Sequence, residues 1–132
     1  MNAIDLGPLH QHAGTAFDEL PGRHPFTPEA LPSSKDPFGI LCWSNSPYCG
    51  IKRGEFEIGM RIEEVEGVTV SFRTPAKGAG MISLCVEGKD ARTLYQTTKY
   101  DEKAYQWFYN VALQLEQVFE APLLVYDQGA DC

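Results

Sequence analysis

DEKAYQWFYNVALQLEQVFEAPLLVY, residues 101–126, is the stretch that decides the fold. Ala104, Phe108, Val111, Ala112, Leu115, Val118 and Phe119 recur at intervals of mostly three and four, so a helix gathers them into one apolar stripe facing a core. Asp101 and Glu102 stand at its start, where negative charge suits the N-terminal end of the helix dipole, and Pro122 ends it near Ala121. Leu123, Leu124, Val125 and Tyr126 then run without alternation, which predicts a strand covered on both faces, followed by a loose tail over 127–132. The helix carries more apolar surface than one stripe requires. Tyr105, Tyr109 and Leu113, four apart, form a second ridge that begins at the edge of the stripe and runs round toward the opposite face.

Upstream of the helix the spacing changes to period two. Phe56, Ile58, Met60 and Ile62 alternate with Glu55, Glu57, Arg61 and Glu63, and Gly67 leads into Val68, Val70 and Phe72, so the two runs read as a hairpin. Pro75 to Gly80 connects to a third run, Ile82, Leu84 and Val86, extending the pattern to an antiparallel meander. Ile40 to Ser44 is a short apolar run that ends in a turn at Ser44-Asn45-Ser46-Pro47. Near the N-terminus, Gly7-Pro8 followed by Leu9, Ala13, Ala16, Phe17 and Leu20 reads as a short helix stopped by Pro21-Gly22. Five prolines between Pro21 and Gly39 mark a stiffened connection. The expected fold is one α+β domain over 1–132. Its sheet is mostly antiparallel and four- or five-stranded, with the long C-terminal amphipathic helix and the short N-terminal helix packed on it.

At 132 residues the chain buries enough surface to fold without metal or disulfide staples. No apolar run approaches the ~20 residues that span a bilayer, and MNAIDLGPLH has neither the basic nor the apolar part of a secretory signal, so a cytoplasmic protein away from the membrane is expected. The net charge of −7 is uneven. Residues 101–132 hold one basic side chain against six acidic, whereas 51–100 hold eight against seven. Without a cluster of Lys and Arg to displace counterions, direct nucleic-acid binding is not expected, and the acidity fits a basic protein partner or simple solubility.

The residues of reactive type lack the spacing their chemistry needs. His10 and His12 diverge on a helix, and Cys42 and Cys49 lie farther apart than zinc hooks do, so neither a metal nor another cofactor is expected. Cys42 and Cys49 flank a turn and are read as thiols, with a bridge as the alternative. Cys85 falls on the strand face away from Ile82, Leu84 and Val86. Lys77-Gly78-Ala79-Gly80 precedes a strand, not a helix, which removes the phosphate-loop reading. No nucleophile elbow is present, and no catalytic residue is assigned.

Glu55, Glu57, Glu63, Glu64 and Glu66 gather on the outer face and turn of the predicted hairpin, with Arg61 and Arg73 placed to neutralise part of their charge across the strands. With Tyr105, Tyr109 and Leu113 they are the candidate partner-binding residues. In size, acidity and one-domain α+β layout the chain resembles the small immunity proteins that neutralise interbacterial toxins. That resemblance implies a non-enzymatic, protein-binding inhibitor that occludes its partner's surface. Two alternatives stand beside it: a small enzyme or ligand-binding domain with a pocket under the 21–39 loop near His24 and Trp43, and a secretion or assembly chaperone, normally a homodimer.

Overall fold

The alternating runs form strands and the stripe forms one long helix, as the computed structural model shows for residues 2–6, 13–15, 39–53, 56–89, 92–97 and 99–130. The strands are β1 (Asn2–Asp5), β2 (Ala13–Thr15), β3 (Leu41–Asn45), β4 (Tyr48–Arg53), β5 (Phe56–Arg61), β6 (Val65–Thr74), β7 (Met81–Gly88), β8 (Arg92–Thr97) and β9 (Leu123–Ala130), with α1 (Glu102–Phe119) between the last two. The described strands make two sheets, not one. The first has the order β1-β3-β4-β5 and the second β2-β8-β7-β6-β9.

Helix α1 joins the two sheets. It touches β1 and β3 of the first sheet and β6, β7 and β9 of the second. Its buried residues are Ala104, Phe108, Val111, Ala112, Leu115, Val118 and Phe119, the stripe read from the spacing. They pack in one cluster with Cys42, Cys49, Ile51 and Met60 from the first sheet and Val68, Val70, Ile82, Leu84 and Val86 from the second. The Asp101 carboxylate caps the helix, accepting from the amides of Lys103 at 2.8 Å and Ala104 at 3.2 Å. At the other end Glu120 adopts the left-handed conformation, φ 53°, that turns the chain toward β9.

Four expectations are corrected. The predicted N-terminal helix is not seen: Ala13–Thr15 is a strand antiparallel to β8, while 7–12 and 16–20 lie outside the described residues, as do 21–38 of the proline-rich connection. Strands β5 and β6 are not a hairpin. A single 3-10 turn at Ile62–Glu64 carries the chain from one sheet to the other, so β5 pairs with β4 while β6 pairs with β7 and β9. Arg61 and Arg73 therefore sit in different sheets: Arg61 lies 3.7 Å from Glu63, and the Arg73 Nε donates to Gln128 at 3.2 Å. Lastly, β9 is parallel to β6 and is an edge strand among the described residues, and it takes in Asp127–Ala130, which read as tail. Leu123 to Tyr126 lack alternation because the run straddles the margin of the core: Leu123 packs against the cluster and the three residues after it are exposed.

Candidate interface at the helix shoulder and the free sheet edge

The ridge is present and incompletely covered. Tyr105 and Tyr109 are half-buried on the shoulder of α1, and Leu113 is 40% exposed. Tyr105 stacks on Tyr109 with ring centroids 6.3 Å apart and meets Phe72 of β6 edge-on at 5.1 Å. Phe72 in turn lies 5.8 Å from Tyr100, whose hydroxyl donates to Glu102 at 3.0 Å. This aromatic ladder ties the N-terminal half of α1 to the end of the second sheet. Burial raises the Tyr105 hydroxyl pKa, and the charges of Tyr109, Glu102 and Asp127 raise it further, which places Asp127 of β9 within electrostatic reach of the ridge.

Edge strand β9 exposes apolar side chains of its own. Leu124, Val125 and Tyr126 are 41%, 42% and 51% exposed, and with Leu113 they are the exposed large apolar side chains among the described residues. Register assigns their faces. Val125 is level with Val70 and shares the helix side, whereas Leu124 and Tyr126 are level with Thr69 and Ser71 on the outer side. On that outer side Glu66, Gly67, Glu87, Leu124 and Tyr126 line a shallow cavity of about 350 Å³. The Thr69 hydroxyl donates to Glu87 at 3.2 Å and holds one wall of it.

Of the predicted acidic residues, Glu63, Glu64 and Glu66 have described side chains and occupy the turn between the sheets and the start of β6. Glu63 and Glu64 lie in the 3-10 turn, Glu64 with Lys89 at 4.0 Å, and Glu66 is exposed at the bulge that opens β6. Glu57 of β5 is level with Lys52 of β4, and Glu55 lies outside the described residues. Glu66 lies at the β9 surface, where Glu87 joins it. Sequence reasoning missed Glu87 and the β9 residues, since recognising them requires knowing that β9 lies beside β6 and ends the sheet.

Cys42 and Cys49 are buried and unbridged, and burial pushes Cys49 up to about 12 and Cys42 higher still, far from the thiolate that nucleophilic attack needs. Cys85 is half-buried with its sulfur 3.4 Å from the Thr93 hydroxyl. Among the described residues no three His, Cys, Asp or Glu side chains converge to hold a metal ion, and His10, His12 and His24 lie outside them. No described helix is long and apolar enough to cross a membrane. No family model, curated protein or solved structure matches this chain.

Proposed function

We propose that this chain is a non-enzymatic, cytoplasmic protein-binding module that inhibits a basic partner by occluding its surface, in the manner of a small toxin-neutralising immunity protein. The observation that carries the reading is Leu113: it ends an aromatic ridge on a helix whose core stripe is already complete, and it remains 40% exposed. Half-buried tyrosines suit such a role, because the ring contributes apolar contact while the hydroxyl stays wet or bonded. Tyr105, Tyr109 and Leu113 supply the apolar contacts, and Glu63, Glu64 and Glu66 supply charge. Glu55 and Glu57 join them on sequence position.

Charge of this kind acts mainly on encounter. Association with the partner should slow steeply with added salt while dissociation changes little, since the Debye length shrinks from ~30 Å at 0.01 M to ~8 Å at 0.15 M. Stopped-flow association over that range tests it. A rate independent of salt removes the electrostatic part of the proposal, and a partner that keeps full activity in a stoichiometric complex removes the inhibition.

A further inference from the structure

Among the described residues, the side of β9 away from β6 is where the backbone itself lacks partners. In a parallel ladder the residues of a strand alternate, one aiming its N–H and C=O at the neighbouring strand and the next aiming both away. The Val68 amide donates to the Pro122 carbonyl at 2.9 Å, and this sets the phase. Leu124 and Tyr126 bond toward β6, while Leu123, Val125 and Asp127 face away from the sheet. The two ends of that edge are closed by side chains. The Leu123 amide donates to Glu116 Oε2 at 2.8 Å, and the Gly129 amide donates to Asp127 Oδ1 at 2.8 Å. Between them the amides and carbonyls of Val125 and Asp127 have no hydrogen-bond partner among the described residues.

Natural sheets blunt such edges with Lys, Pro or a bulge. From Leu123 to Asp127 the strand has none of these, and its register with β6 is regular until after Phe72. Exposed apolar side chains flank the open backbone on both faces, Val125 on one and Leu124 and Tyr126 on the other. The charges around it are mostly acidic. Among the described residues Glu66 and Glu87 line the outer cavity with no basic side chain beside them, Glu116 and Asp127 cap the edge itself, and the one nearby cation, Arg73, donates to Gln128 farther along the strand.

We propose that β9 takes up an extended, Lys- or Arg-bearing segment of a protein partner as an added strand. The segment bonds to the backbone of Val125 and Asp127, lays apolar side chains on Leu124 and Tyr126 of the outer face, and sets its cations on the helix face, by Glu116 and Asp127. A second copy of the chain is the poorer occupant, because it brings another Asp127 and Glu66 to the same edge of a molecule already at −7. The inference rests on the reading of the chain as a binding module and names the mode and chemistry of its partner.

The probe is a blocked nonapeptide of alternating lysine and valine, with a glutamate-for-lysine peptide as control, and the readout is amide hydrogen exchange by NMR. The Val125 and Asp127 amides should exchange fast in the free protein. At roughly ten times its Kd the lysine peptide should slow both about tenfold, since exchange then proceeds only from the empty edge. The glutamate peptide should leave them fast. Val125→Pro keeps the β6 ladder, because this amide faces outward, and should abolish the protection of Asp127. Unchanged exchange with the lysine peptide, or equal protection by both peptides, overturns the proposal. So does protection in the protein alone that disappears on dilution together with a sedimenting dimer. Capture of a partner by wild type and by Val125→Pro alike overturns strand addition but leaves the binding module standing, whereas a wild-type chain that captures nothing removes both.

Discussion

If the Tyr105, Tyr109 and Leu113 ridge serves contact, trimming it should leave the fold nearly intact, while trimming the neighbouring stripe should not. Phe108 and Leu113 lie on the same helix and make a direct comparison. Phe108 is fully buried, so Phe108→Ala opens a cavity in the cluster shared by both sheets and should cost about 3–5 kcal/mol. Leu113 is 40% exposed. Full burial of a leucine is worth about 2 kcal/mol, the exposed part contributes nothing, and alanine is the better helix former, so Leu113→Ala should cost about 1 kcal/mol or less. With a urea slope near 2 kcal/mol per M, the unfolding midpoint should fall by roughly 2 M for Phe108→Ala and by no more than about 0.5 M for Leu113→Ala. A Leu113→Ala shift as large as that of Phe108→Ala would refute the reasoning, since it would make the ridge part of the core.

Removing the helix cap with Asp101→Ala should cost about 1 kcal/mol in thermal or urea unfolding, because two amides lose their acceptor. Glu120→Gly should stabilise by about 0.5–1 kcal/mol in the same assay, since Glu120 sits at φ 53° where glycine carries no Cβ penalty. Gly80→Ala should destabilise by about 2 kcal/mol or more: the backbone is at φ +78°, and a Cβ there meets the Arg73 carbonyl and stands 2.8 Å from Tyr100 Cβ. Alkaline pH should weaken the fold through the two buried thiols. Their folded pKa values lie above those of the unfolded chain, so their contribution is whole below pH ~8.5 and falls, by about 1.4 kcal/mol per pH unit for each thiol, up to about 12 for Cys49. Cys49→Ala should flatten that slope in unfolding measured from pH 8 to 11, and an unchanged slope would contradict the assignment.

The core face of α1 is legible in the sequence because helical spacing is local: seven residues name their own neighbours by distance along the chain. The strands around Val68–Phe72 and Ile82–Val86 follow from alternation for the same reason. Pairing is not local. Nothing in the alternation of Phe56–Arg61 and Val65–Thr74 says that they lie in different sheets, because the Ile62–Glu64 turn that separates them resembles an ordinary hairpin connection. Strand β8 was hidden by the polar residues of Arg92–Thr97, and β4 by the glycine and lysine among Tyr48–Arg53. The ridge of the candidate site could be read from its four-residue spacing. The β9 half could not, since an apolar run without alternation describes a strand buried on both faces as well as an edge strand that leaves apolar side chains uncovered.

The measurement that tests the central claim most directly is quantitative affinity capture from native lysate, with wild type and the doubly substituted Tyr109→Ala, Leu113→Lys chain as parallel baits, each checked for folding by circular dichroism. The account predicts one dominant, stoichiometric, basic protein on the wild-type bait and at least a tenfold loss of it, about 1.4 kcal/mol in binding, on the variant. Clean elution of the wild-type bait alone, or equal capture by the folded variant, would contradict the claim that this chain works by contact through the shoulder of α1.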